Sequence, residues 1–161
     1  MRAENLWASF LYAFEGLWYA LRTQRNLRVH VLIAALVLVL SWVEQLPIRD
    51  FIAVLLAIVV VMVAELFNTA LEAVVDLISP EIRRLAKTAK DVAAAAVLLA
   101  AAGAVVLGLW VFLPRLGRLP AFLMLRWERQ PAATLAWLGL LVAVAALMFW
   151  IPQAPHRRGG R

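Results

Sequence analysis

The sequence predicts an all-α membrane protein, and three observations carry that class. Hydrophobic residues make up 65% of the 161 residues and charged residues 16%, against about a quarter charged in soluble domains. Apolar runs of about 20 residues recur, the length a helix needs to cross roughly 30 Å of hydrocarbon. Short connectors that contain proline or several charges separate the runs, as in EQLPIRD and SPEIRRLAKTAK. The totals also exclude chemistry. There is no cysteine, so disulfides and thiolate-bound metal are out. Only His30 and His156 offer imidazole, too far apart in the chain to read as a zinc pair. A net charge of +6 in so apolar a chain reads as topology control and contact with anionic headgroups, not as nucleic-acid binding.

Each element follows from its pattern. From about 6 to 22, Leu6, Trp7, Phe10, Leu11, Phe14, Leu17, Trp18 and Leu21 recur at three-and-four spacing. Polar residues lie largely between them, which predicts an amphipathic helix at the membrane surface. The segment with Arg22, Arg25 and Arg28 leads into a first span over about 27–46. Pro47 turns the chain into a second span over about 51–79, closed by Pro80. A basic loop with Arg83, Arg84, Lys87 and Lys90 leads to Asp91, which is read as opening a third, alanine-rich span over about 92–113. Gly16 and Gly103 read as sites of close helix approach. The positive-inside rule places both basic segments on the cytoplasmic side. Residues 114–161 form an extension: an interfacial stretch over 119–130, a possible fourth span over 132–151 and a basic tail. Arg115, Arg118, Arg126 and Arg129 then fall on the outer side, against that rule, unless they snorkel at the interface. The N-terminus lacks a short apolar core followed by a cleavage site, so insertion is expected to rest on the spans.

The second span is loaded. On a helix, Glu65, Asn68, Glu72 and Asp76 fall at roughly 0°, 300°, 340° and 20°, while Leu66, Phe67, Ala70, Val74 and Leu77 take the other side. Ionisable residues inside a membrane are expensive and mark function by default. Glu65 lies about 21 Å along a span of roughly 30 Å, inside the cytoplasmic leaflet, and the others step outward toward water. If the second and third spans are antiparallel neighbours, Lys90 and Asp91 join them. A base at lipid depth, carboxylates for a hard cation and a lysine for phosphate suit phosphoryl transfer to a membrane alcohol. A proton or ion pathway uses the same residue types, and the residues alone leave both readings open. Walker, protein-kinase and nucleophile-elbow motifs are absent. His30 reads as a helix-end residue.

The run ELFNTALEAVVDLISPEIRRLAKTAKDVAAAAVLLAA, with FEGLWYALRTQRNLRVH before it, resembles the prokaryotic diacylglycerol kinase family, including its undecaprenol kinase members, over about residues 8 to 113. The resemblance implies a lipid kinase domain over 1–113, a homotrimer in the bacterial inner membrane, and ATP with Mg²⁺ acting on a lipid alcohol from the cytoplasmic side. It implies Glu65 as general base, Asn68 and Asp76 as organisers of the site, and Glu72 as a metal ligand. Lys90 and Asp91 match the segment that holds the nucleotide phosphates. Glu81, Tyr12 and Arg28 match residues near the nucleotide. Gln24 stands where the family supplies a second metal carboxylate, so cation affinity is expected to differ. TQRN and RVH look closer to the undecaprenol kinase branch. A degenerate, binding-only member is the alternative that Gln24 keeps open.

Overall fold

The computed structural model describes residues 6–79 and 83–152. Among these residues there are six α-helices and one 3-10 turn and no strand: α1 Leu6–Thr23, α2 Arg25–Val43, α3 Ile48–Ile78, α4 Arg84–Phe112, the turn Leu113–Arg118, α5 Leu119–Arg129 and α6 Pro131–Trp150. Four helical stretches are long and apolar enough to cross a membrane. The four spans read from the sequence, the possible fourth included, are therefore present as helices. Glu81 and the basic tail from residue 153 lie outside the described residues.

Gln24 is the single extended residue between α1 and α2, with φ −103° and ψ 112°, so the chain bends there and aims this side chain inward. Arg28 is buried and donates from Nη1 to the Leu21 carbonyl at 3.1 Å, which fixes the α1–α2 corner. Only Ala20 of α1 is buried. Trp7, Phe10 and Phe14 are left uncovered by the described residues.

The α2–α3 connector is a Schellman turn. The Leu46 amide donates to the Ser41 carbonyl at 3.1 Å and the Gln45 amide to Trp42 at 3.3 Å, with Gln45 at φ 51° in the left-handed region that glycine usually fills. Pro47 then prevents continuation. The tight turn sets α2 and α3 antiparallel, and α4 packs along α3. The buried core of Val54, Val111 and Phe112, packed against Val37, Leu40, Leu46, Ile58 and Leu107, sits at the connector end. The polar ends of α2, α3 and α4 gather at the other.

Two expectations are corrected. Asp91 does not open a helix, because α4 starts at Arg84. Leu85, Ala86, Lys87 and Ala89 are good helix formers with no breaker among them, so the helix extends well before the apolar run. Gly16 and Gly103 are not close-approach sites within the described residues of this chain, where a Cβ added at either meets nothing within 4 Å.

The extension folds back on α2. Trp42 and Trp137 lie with ring centroids 6.0 Å apart. The Arg126 guanidinium stacks 4.3 Å over the Trp42 ring and donates to the Trp42 carbonyl at 2.7 Å. Arg115 pairs with Asp50 at 2.7 Å and also donates to the Val111 carbonyl. Two of the four arginines that oppose the positive-inside rule thus have local partners, although Arg126 Nε is buried without one.

Glu44 closes α2 at the same end, buried and with Oε2 lacking a hydrogen-bond partner. Glu44→Gln replaces a buried, unpartnered carboxylate with a neutral amide and is expected to raise Tm in detergent at neutral pH by about 2–4 °C. Thermal unfolding of both proteins on matched preparations checks it.

Candidate active site

α3 is 31 residues long, about 46 Å at 1.5 Å per residue, so roughly 15 Å exceeds the hydrocarbon thickness. Glu65 lies 17 residues after Ile48, about 25 Å along the helix, near the edge of the apolar layer. The stripe predicted from the sequence forms a gradient of burial. Glu65 and Asn68 are buried, Glu72 is intermediate and Asp76 is exposed.

Glu65 is 1% exposed. The Thr69 hydroxyl donates to its backbone carbonyl at 2.9 Å, so that bond leaves the carboxylate uncommitted. His30 on α2 brings Nε2 to 3.2 Å from Glu65 Oε1. The N–H does not lie along the line to the oxygen, and Oε1 has no aligned hydrogen bond. His30 was read from the sequence as a helix-end residue and the structure corrects this. Equal depth on antiparallel helices could have found it: His30 is 13 residues before the end of α2 and Glu65 is 17 after the start of α3, about 20 and 25 Å from the same turn.

Two helical turns outward, Glu72 is held by two amides. Gln24 Nε2 donates to Glu72 Oε2 at 2.9 Å, and Asn68 Nδ2 donates to Glu72 Oε1 at 3.2 Å. Asn68 Oδ1 is buried without a hydrogen-bond partner, a hard oxygen beside the carboxylate. No group of three or more His, Cys, Asp or Glu that could hold a metal occurs among the described residues. The side chains gathered here are one carboxylate with the Gln24 and Asn68 amides, each of which carries an oxygen that could turn to a cation. That set fits Mg²⁺, which takes oxygen ligands and commonly uses only one or two protein carboxylates with substrate phosphates.

A further turn outward, Lys90 Nζ meets Asp76 Oδ1 at 2.5 Å, joining α4 to α3. Asp91 instead pairs with Lys87 at 2.8 Å on the exposed side of α4. Lys87 was not singled out from the sequence, although its i,i+4 spacing to Asp91 was visible. Tyr12 stays exposed on α1, and Arg28 is occupied at the helix corner.

An apolar cleft of about 380 Å³ runs between α2, α3 and α4, from His30 past Val37 and Val61 to Leu113 and Leu116. Its His30 end lies against the buried Glu65 carboxylate, with the polar stripe of α3 beyond it. Such a site can present an alcohol carried on a hydrocarbon chain to an aqueous anionic reactant.

A sequence model of the prokaryotic diacylglycerol kinase family matches residues 11–112. The chain is 45% identical over 115 residues to the diacylglycerol kinase of Synechocystis sp., an alignment covering 71% of this chain and 66% of that protein, just under two thirds. It is 41% identical over 108 residues to the undecaprenol kinase of Bacillus subtilis, covering 67% of this chain and 88% of that protein. It is 36% identical over 98 residues to the diacylglycerol kinase of Escherichia coli, covering 59% and 78%. No solved structure matches significantly. With the family's sequence pattern extending over 11–112, from α1 to the end of α4, this chain belongs to the prokaryotic diacylglycerol kinase family.

Proposed function

We propose that the chain transfers the γ-phosphoryl group of ATP to the hydroxyl of a membrane lipid, of the diacylglycerol or undecaprenol class. The observation that carries this reading is the buried Glu65 carboxylate in contact with His30, which lines the apolar cleft, with Asn68, Glu72, Asp76 and Lys90 stepping outward to water. The lipid alcohol enters along the cleft and its hydroxyl meets Glu65, which takes the proton as oxygen attacks phosphorus. Lys90, held by Asp76, and Asp91 form the phosphate-facing edge of α4. The positive N-terminal end of that helix lies on the same side. Tyr12, Arg28 and Glu81 belong to the nucleotide side by family resemblance.

Glu72, with the amide oxygens of Gln24 and Asn68, would hold Mg²⁺. When bound, the ion neutralises charge on the nucleotide phosphates. We place the site at the cytoplasmic face of the bacterial inner membrane, because Arg22, Arg25, Arg28, Arg83, Arg84, Lys87 and Lys90 gather at that end. α1 lies along the interface with its uncovered aromatics in the headgroup layer, and the active form is a homotrimer, as the resemblance implies.

The test is γ-phosphoryl transfer from ATP by purified protein in mixed micelles, with diacylglycerol and undecaprenol offered side by side. Phosphorylated lipid supports the reading, and the preferred alcohol names the branch. Absence of product from both lipids with Mg²⁺ or Mn²⁺ would leave a binding-only protein.

Gln24 gives a second result. Gln24→Glu places a second carboxylate where the amide now sits 2.9 Å from Glu72. The Mg²⁺ concentration for half-maximal rate is expected to fall by about 3–10-fold. Tm in detergent should also become more Mg²⁺-dependent, since two adjacent carboxylates repel until a cation is bound. An unchanged metal titration would count against Gln24 lying at the cation.

A further inference from the structure

Glu65 is among the most deeply buried side chains of the protein, and an isolated ionised carboxylate in apolar surroundings is strongly disfavoured. A base that cannot ionise is not a base. Its backbone carbonyl is satisfied by Thr69, and Asn68, the next polar group outward on α3, is an amide that cannot accept a proton. The charged groups acting on Glu65 are His30 from α2 and Glu72 from its own helix. Glu72 has the same sign and cannot compensate it. The other basic residue near His30 on α2, Arg28, is committed to the Leu21 carbonyl. The residues α4 contributes to the cleft, such as Ala101, Ala104 and Val105, carry no charge. His30 is therefore the group in contact with Glu65 that can bring a positive charge to it. The Glu65 side chain is 2% exposed and that of His30 21%, so the imidazole also reaches outward where the carboxylate does not.

We infer that His30 and Glu65 act as one proton-sharing pair, in which His30 is the positioning residue that keeps Glu65 ionised at lipid depth and clears the proton that Glu65 collects. This rests on the proposed kinase reading, with Glu65 as base. Before the reaction the pair shares one proton. The lipid O–H gives its proton to Glu65 as the new O–P bond forms and the bond from the γ-phosphorus to the bridging oxygen breaks, releasing ADP. The pair then holds two protons, and one leaves from the exposed edge of the imidazole to water, restoring the resting state. Protons belong to the pair and not to either residue alone.

The experiment uses the full-length protein in mixed micelles and compares wild type, His30→Ala and His30→Asn. Asparagine can offer Glu65 an N–H but neither a charge nor a proton relay. Both variants are expected to lose kcat by about 10–100-fold, with KM for ATP within about twofold of wild type. Added imidazole is expected to restore part of the lost rate in His30→Ala, where the ring has left space beside the open cleft, and not in His30→Asn. A kcat for His30→Asn within about threefold of wild type overturns the inference by reducing His30 to a hydrogen-bond donor. So does a His30→Ala rate that is unchanged, or one that imidazole leaves at its lowered value. A wild-type protein that phosphorylates no lipid is a separate outcome and removes the kinase reading itself.

Discussion

Glu65→Gln is expected to lower kcat for lipid phosphorylation by about 10²–10⁴-fold, the usual contribution of a positioned general base, while KM for ATP changes little. The substitution keeps the side chain's size and leaves an oxygen that can still accept a hydrogen bond. Glu65 is 1% exposed and sits in α3 between the buried Val61 and the buried Asn68 and Thr69, so an isosteric change preserves the packing that a truncation would disturb. What it removes is the ability to hold a proton. The isosteric amide keeps that packing, so Tm in detergent is expected to change little while the rate falls. That contrast separates loss of a base from loss of fold. Initial rates of γ-phosphoryl transfer at saturating ATP and lipid, with thermal unfolding on the same preparations, check both. A kcat within about tenfold of wild type would place the base elsewhere.

The stripe that contains Glu65 was legible because two physical rules act on the same residues. A period of 3.6 puts Glu65, Asn68, Glu72 and Asp76 on one face, and the expense of polar groups in hydrocarbon makes such a face informative. The spans were legible for a similar reason, since length and apolarity fix them without any tertiary contact. The remaining features depend on which helix faces which. His30 has no pattern around it and acquires meaning only from its depth opposite Glu65 across the α2–α3 turn. Arg28 looked available for phosphate and is committed to the Leu21 carbonyl, because the bend at Gln24 swings the end of α1 over it. Arg115 and Arg126 violated the charge rule until Asp50 and the Trp42 carbonyl were placed beside them. The apolar run marks the third span as opening at Asp91, whereas helix propensity carries the helix back to Arg84.

Glu72→Gln is expected to be the most severe change on the nucleotide side. In the proposed site the side chains that would face the cation are one carboxylate and two amides, with Gln24 standing where the resemblance implies a second carboxylate. Removing the carboxylate takes away all of the protein's formal negative charge at that position. The Gln24 and Asn68 N–H groups, at 2.9 and 3.2 Å from its two oxygens, also lose a charged acceptor. If cation stabilisation of the phosphates is worth about 4 kcal/mol, kcat/KM for ATP falls by about 10³-fold at 1.36 kcal/mol per decade. Mn²⁺ binding, followed by electron paramagnetic resonance without nucleotide turnover, is expected to weaken in parallel. The double variant Gln24→Glu with Glu72→Gln moves the carboxylate across the 2.9 Å contact between the two side chains and leaves the total charge as it was. If the site requires one carboxylate between α3 and the α1–α2 corner, the double variant recovers Mn²⁺ binding and part of the rate that the single variant loses. If Glu72 acts only by holding α1 against α3, the exchange of partners restores that bond without restoring cation affinity.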